Sequence, residues 1–158
     1  MPSEFPLPTP PATLSHGPVR LHFVKIIPGD NSRGFAPSYH FRIMAGDLDT
    51  GHINFRVGDS IHVEMCAGHV GYEIAEAFRG RHFAYHACQA LAPFIREVMG
   101  TVVITSDPEN HPSIRTIVRL GATFLEEVVV PLDDPHYARG YRTKLRYKWS
   151  PGPGLEPS

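Results

Sequence analysis

A short segment rich in glycine and arginine stands directly before a helical pattern. It reads Arg79-Gly80-Arg81-His82-Phe83-Ala84 and follows a strand-like stretch that ends near Ala75. The first turn of a helix has unpaired backbone amides and the positive end of the helix dipole, so such a turn can hold an anion. Arginine side chains add positive charge. The segment can therefore hold a pyrophosphate, although such a segment taken alone is more often a plain surface turn.

Two ionisable side chains share one face of the strand-like stretch 68–75. Because side chains alternate along a strand, His69 and Glu73 point the same way. An imidazole has an ordinary pKa of about 6.5 and can take a proton from an attacking group. We therefore expect His69 to be the first candidate for a general base and Glu73 the second. Each residue also has a structural interpretation. For His69 it is a role as a hydrogen-bond partner, and for Glu73 it is a solvated or paired charge.

The strands and helices around these residues are predicted from the spacing of apolar residues and from the turn-forming residues between them. Strands are predicted at 19–27, 39–44, 52–57, 68–75, 102–105, 123–130 and 143–149. Residues 39–44 and 52–57 flank a turn-rich segment and form a natural hairpin. Apolar residues at three- and four-residue spacing predict one helix from Phe83 to Val98 and a second between the N-cap Asn110 and Gly121. This order predicts an α+β domain whose mixed, mostly antiparallel sheet is flanked by helices.

Length and composition narrow the class of protein. The 158 residues suffice for one domain, and a net charge of −1 argues against nucleic acid or an anionic membrane as partner.

Prolines are concentrated in residues 1–18 and 150–158, which we expect to be disordered tails around a domain at 19–149. The two cysteines fit a reducing cytoplasm. The ten histidines are scattered, so no metal site is expected.

Two stretches resemble the GNAT superfamily of N-acetyltransferases. The first is Gly68-His69-Val70-Gly71-Tyr72-Glu73-Ile74-Ala75 with the segment 79–84, which is similar to the family's strand and Arg/Gln-x-x-Gly-x-Gly/Ala loop. His82 stands where that loop usually has glycine. The second is residues 102–107 followed by Asn110, Ser113 and Gly121. Arg146-Tyr147-Lys148-Trp149 resembles the end of one branch of predicted acetyltransferases.

The resemblance implies acetyl-CoA as co-substrate, held between the strands 68–75 and 102–105. It implies that backbone groups of Tyr72, Ile74 and Ala75 hold the pantetheine arm and the acetyl carbonyl. The loop Arg79, Gly80, Arg81, His82, Phe83 and Ala84 would take the pyrophosphate. Asn110 and Ser113 would approach the pantetheine from the other side. Glu64 becomes a third candidate base, because acidic residues just before this strand serve so in some relatives.

One departure from the family concerns the acceptor. Most members have two helices after the first strand, whereas here residues 28–38 lead directly into the next strand and are too few for two helices. The acceptor side should then be open, or closed by a second subunit or by the tails, and on this argument a homodimer is expected. The implied acceptor is the amine of a small molecule or a peptide. The helical tyrosine that many members use as an acid is replaced by Ile117.

Three interpretations of the chain follow. The first is an N-acetyltransferase, in which the amine attacks the thioester directly. The second is an acyl-CoA binding or regulatory module without catalysis, which His82, the missing tyrosine and the missing acceptor helices favour. The third is an unrelated α/β domain with a similar turn.

Overall fold

The computed structural model describes residues 7–152, so the predicted disorder of residues 1–6 and 153–158 lies outside the described residues. The strands are β1 (Ser15–His16), β2 (Val19–Ile27), β3 (Ser38–Ala45), β4 (Leu48–Arg56), β5 (Val70–Ile74), β6 (Val102–Ser106), β7 (Thr123–Val129) and β8 (Thr143–Trp149). The α-helices are α1 (Phe83–Val98), α2 (His111–Arg119) and α3 (Pro135–Ala138). Shorter helical turns occur at Asn31–Arg33, Val63–Ala67 and Glu76–Phe78.

The strands form two antiparallel sheets. One has the order β1-β2-β3-β4-β5 and the other the order β6-β8-β7. The predicted hairpin is present, with Ala45 opposite Leu48 across a two-residue turn. Gly46 opens that turn at φ 61°, a left-handed conformation that glycine adopts at little cost. The α+β class with mostly antiparallel pairing is confirmed, although the strands divide into two sheets where one mixed sheet was expected.

The core lies between these sheets and α1. Apolar residues recur at three- and four-residue spacing along α1, so Phe94 and Leu91 are buried against the inner face of the first sheet. Trp149 of β8 belongs to the same hydrophobic cluster. The Phe94 ring meets the ring of Tyr39 edge-on at 4.9 Å and that of Phe55 at 5.9 Å. These aromatic contacts fix α1, and with it the segment that precedes α1.

The front tail differs from the expectation of disorder. Within residues 7–18, Leu14 is buried in the core and Ser15–His16 pairs with β2. The Tyr39 hydroxyl donates a hydrogen bond to the Pro8 carbonyl. Burial of Leu14 and pairing of the Tyr39 hydroxyl favour docking of this segment, despite its prolines.

The connection between β2 and β3 is as short as the sequence indicated. It contains a 3-10 turn at Asn31–Arg33 and no α-helix, and every residue of it lies within the described part of the chain. Among residues 7–152, no helix has both the length and the apolar character that crossing a membrane requires.

We predict that Phe94→Ala lowers the free energy of unfolding by about 3–5 kcal/mol, because it removes a fully buried ring and leaves a cavity between α1 and the sheet. Urea denaturation followed by circular dichroism measures the change. Leu132→Ala, at a side chain that is 78% exposed, is the control and should change stability by less than about 0.5 kcal/mol. Equal effects of the two substitutions would contradict the position of the core.

Candidate active site

The two sheets separate between β5 and β6. The strands start side by side, where the His69 amide donates to the Val103 carbonyl at 2.7 Å, and then belong to different sheets. Gly68 precedes this contact at φ 73°, and a Cβ there would lie 3.0 Å from the Thr105 nitrogen. A glycine is therefore required for the close approach. Beyond it the strands diverge and border a cavity of about 270 Å³.

One wall of the cavity lies on the side of the helices. Tyr72 of β5 and Ser113 of α2 both line it, and their hydroxyl oxygens are 3.0 Å apart. Asn110 also lines the cavity, and its Oδ1 caps α2 by accepting a hydrogen bond from the Ser113 amide at 3.2 Å. The structure thus brings together three of the residues assigned to the pantetheine.

The opposite wall lies on the outer face of the first sheet. Glu73 lines it, and the register of β4 and β5 places His52 directly opposite Glu73. Arg56 and Lys144 line the same wall. The cavity therefore connects the helix side of the sheet with its outer side through the gap.

The segment 79–84 leads into α1 as predicted. The Arg79 Nε donates to the Ile74 carbonyl at 2.8 Å, which holds the loop against the end of β5. The first hydrogen bond of α1 runs from the His86 amide to the His82 carbonyl, so the amides of residues 83–85 precede it. The first turn of α1 has no acidic side chain. These free amides and the two arginines can bind an anion.

His82 is strained at the start of this helix. Its φ is 63°, and among the described residues it is the only one besides glycine with a positive φ. A side chain in this left-handed conformation costs about 1–2 kcal/mol. The strain explains physically why glycine suits this position of the loop.

His69 has a structural role in this arrangement. It is only 2% exposed, its Nδ1 accepts a hydrogen bond from the Val103 amide at 2.8 Å, and its Nε2 lies 2.9 Å from the Gly58 carbonyl. The ring is therefore a neutral imidazole that donates from Nε2. Both nitrogens are engaged, which disfavours His69 as a general base.

Glu64 also lies away from the cavity wall. Its backbone carbonyl accepts from the Arg146 Nε at 2.7 Å, and its Oε1 is 3.5 Å from Nη2 of the same guanidinium. Of the three candidate bases, only Glu73 is among the residues that line the cavity.

Sequence reasoning missed His52. Burial, together with the neighbouring His40, lowers the pKa of His52 below its usual value, so the ring is neutral at pH 7 and can accept a proton. The residue belongs to the predicted hairpin, but the strand that pairs with residues 68–75 could not be identified from spacing alone. That pairing places His52 beside Glu73.

A group of polar side chains distant in sequence lies at the far end of the cavity. Ligand atoms of Cys66, Asp134 and His136 are within 4.8 Å of one another, and the His62 Nδ1 is 2.6 Å from Asp134. Burial and then Asp134 raise the pKa of Cys66 to about 12. Burial lowers the pKa of His136 to about 4, so the thiol and this imidazole are both neutral at pH 7. A second such group is Asp59, Glu64 and His69. That the protein has no metal site stays a prediction.

Comparisons with known proteins agree with this fold. Residues 10–123, well over half of the chain, match the model of a family described as an acetyltransferase (GNAT) domain. The chain therefore belongs to the GNAT acetyltransferase family. No curated protein matches it significantly.

Solved structures with the same fold include RimL, a ribosomal L7/L12 alpha-N-protein acetyltransferase, with 19% identity and a TM-score of 0.57 over 72% of this chain and 70% of that one. The microcin C7 self-immunity acetyltransferase MccE, in complex with acetyl-CoA and AMP, has 18% identity and a TM-score of 0.56 over 72% and 61%. The ribosomal-protein-S5-alanine acetyltransferase of Vibrio fischeri has 13% identity and a TM-score of 0.56 over 76% and 64%. The match thus spans less than two thirds of the latter two chains.

We predict that His69→Ala lowers the free energy of unfolding by about 3 kcal/mol, because it leaves the Val103 amide and the Gly58 carbonyl without partners. Guanidinium denaturation measures the loss. His22→Ala, at an exposed position on β2, is the matched control and should be nearly neutral. A His69→Ala protein of unchanged stability would contradict the structural role.

We predict that His82→Gly raises the free energy of unfolding by about 0.5 kcal/mol, since relief of the left-handed strain slightly exceeds the entropy that glycine costs. His82→Val should lower it by about 1 kcal/mol, because a β-branched residue tolerates this conformation worse. The comparison of the two denaturation midpoints is the measurement. The same midpoint for both variants would contradict the conformation of His82.

Proposed function

We propose that the protein transfers an acetyl group from acetyl-CoA to a primary amine. The observation that carries the proposal is the gap between β5 and β6, which are not paired with each other and belong to different sheets. A cavity lined by polar side chains lies at this gap. Membership of the acetyltransferase family supports the reaction class. The structures of MccE in complex with acetyl-CoA and of RimL in complex with coenzyme A support the co-substrate.

The co-substrate would lie on the helix side of the gap. The pyrophosphate binds the free amides at the start of α1, with Arg79 and Arg81 near it. The pantetheine runs along β5 past Tyr72 and faces Asn110 and Ser113 of α2. The thioester then enters the gap.

The edge of β5 that borders the gap offers free backbone groups. The Arg56 amide bonds to the His69 carbonyl and the Ala75 amide to the Thr50 carbonyl, so the odd-numbered residues of β5 pair with β4. By the alternation of an antiparallel ladder, the amides of Tyr72 and Ile74 point into the gap. Such an amide stabilises the oxyanion that develops on the thioester carbonyl.

In the reaction, the amine nitrogen attacks the thioester carbon. The carbon–nitrogen bond forms, the carbon–sulfur bond breaks, the thiolate of CoA leaves, and a base takes the proton of the amine. We propose Glu73 as that base, acting directly or through a water molecule, with the neutral His52 opposite it as the alternative. His69 and Glu64 are weaker proposals because their polar atoms are engaged elsewhere.

Tyr72 is the proposed acid. Burial raises the pKa of its hydroxyl, which therefore stays protonated at neutral pH, and the hydroxyl lies in the cavity beside Ser113. Ile117, at the helical position where many family members carry tyrosine, is fully buried in the core.

An acyl-CoA binding module without catalysis is the second candidate. The strained His82 at the phosphate loop favours it, because its side chain takes up space where glycine would leave room. Release of free thiol from acetyl-CoA with a panel of primary amines separates the two candidates. A transferase releases thiol in proportion to the amine, whereas a binding module gains thermal stability with CoA and releases none.

We also propose a homodimer in the cytoplasm. The short β2–β3 connection leaves the acceptor side of the sheet without the helices usual in the family, and a second subunit can cover it. Analytical ultracentrifugation at micromolar concentration tests the assembly, and a sedimentation coefficient of the monomer alone would contradict it.

We predict that Glu73→Gln lowers kcat at least about a hundredfold while the thermal shift with acetyl-CoA is unchanged, because the amide cannot accept the proton. Thiol release under saturating acetyl-CoA measures it. Glu76→Gln, at an exposed carboxylate outside the cavity, is the control and should keep full activity.

The pH profile distinguishes the two bases. If His52 is the base, Glu73→Gln retains activity, and kcat/KM falls as the pH drops through a pKa below about 6.5, since burial lowers the pKa of His52. If Glu73 is the base, the His52→Gln protein retains activity, and its kcat/KM still falls at acidic pH.

A further inference from the structure

Two cations on the outer wall of the cavity have no carboxylate partner. Among residues 7–152, neither Lys144 nor Arg56 has a carboxylate oxygen within 4 Å, in contrast to Arg42 and Arg146. Lys144 is only 8% exposed. A buried cation without a carboxylate partner is costly, so the buried Lys144 and the half-buried Arg56 at one cavity are expected to serve an anion.

The surroundings of Lys144 hold its ammonium at the cavity. Alternation along β8 sends Tyr147 into the core and Lys144 to the outer face. Nζ lies 4.1 Å from the centre of the Tyr141 ring, a cation–π contact that orients the ammonium without neutralising it. Burial lowers the pKa of Lys144 more than the Asp107 carboxylate raises it.

The guanidinium of Arg56 is held by the backbone of the segment that leads into β5. Its Nη1 lies 3.3 Å from the Ala67 carbonyl and 3.2 Å from the Gly68 carbonyl. Within the described residues, Nε and Nη2 have no acceptor. His136 adds a third polar atom to this wall, since its Nδ1 is buried and has no hydrogen-bond partner in the described part of the chain.

The cavity also holds negative charge. Glu73 and Asp107 line it together with Arg56 and Lys144. A ligand that complements these charges carries a cationic group to match the carboxylates and an anionic group to match the two cations. The cavity of about 270 Å³ is also lined by Tyr72, Asn110 and Ser113, beside which the pantetheine is proposed to run, so an acceptor that shares this space is a small molecule.

Resting on the proposed acetyl transfer, we infer that the acceptor is a small primary amine that also carries a carboxylate or a phosphate, which Lys144 and Arg56 bind. The anion lies between the ammonium of Lys144 and the free edge of the Arg56 guanidinium. The amine then lies toward Glu73 and the gap, where it reaches the thioester.

The test compares three acceptors of similar length with the full chain and acetyl-CoA. They are β-alanine, O-phosphoethanolamine and n-propylamine, which carry a carboxylate, a phosphate and no anion. We expect KM for at least one of the two anionic amines to be about tenfold or more below that for n-propylamine, because charge-assisted hydrogen bonds form only with the anion. The better of the two identifies the anion.

Substitutions then assign the effect to these residues. Lys144→Met should raise KM for the preferred anionic amine about tenfold to a hundredfold and leave KM for n-propylamine unchanged. Lys148→Met, on the same strand at an exposed position outside the cavity, is the matched control and should change neither. Arg56→Met should act like Lys144→Met, and the thermal shift with acetyl-CoA checks that each variant binds the co-substrate.

Equal KM values for the three amines would overturn the inference and leave the proposed function standing. Turnover of none of the three by a protein that acetyl-CoA still stabilises would also overturn the inference, and thiol release with the wider panel of primary amines then decides between the transferase and the binding module. Absence of both thiol release and thermal shift would instead count against the proposed acetyl-CoA site. Equal effects of Lys144→Met and Lys148→Met would also overturn the role of Lys144.

Discussion

One buried imidazole joins β5 to β6 at the point where the two strands separate. His69 bonds through its backbone to the Val103 carbonyl, through Nδ1 to the Val103 amide, and through Nε2 to the Gly58 carbonyl. These bonds join the two sheets at one point, and Gly68 lets the backbones approach there. Past this point each strand pairs only with its own sheet, and the facing edges of β5 and β6 are not paired with each other. The cavity exists because the pairing stops after the first contact.

Charged and neutral polar groups are unevenly distributed around the cavity. The helix side offers neutral donors and acceptors, namely the hydroxyls of Tyr72 and Ser113, and the start of α1 offers amides and arginines. The outer side offers charges of both signs, with Arg56 and Lys144 unpaired among the described residues. A thioester suits the first environment and a charged acceptor suits the second. The sheet separates the two environments, because alternation along β5 sends neighbouring side chains to opposite faces.

The left-handed His82 is a place where the chain departs from the glycine typical of its family and keeps the conformation that glycine allows. The packing of Phe94 and Leu91 holds α1 in place, and the Arg79 hydrogen bond to the Ile74 carbonyl holds the loop. These contacts impose the conformation on residue 82 at a cost in stability.

Local patterns in the sequence determined the elements and the position of the segment 79–84 directly before α1. The two-residue period of β3 and β4, the helical period of α1, and the capping side chain of Asn110 act over a few residues, so they can be read without the fold. They led correctly to the hairpin and to both longer helices.

Only the tertiary structure decided which polar groups meet. His69 and Gly58 are eleven residues apart and His69 and Val103 thirty-four, so the bonds that engage the imidazole could not be foreseen from spacing. The same holds for His52 opposite Glu73 and for the docking of Leu14. A side chain's chemistry depends on its partners, and those partners come from strand register and long-range packing, which no local period of the sequence encodes.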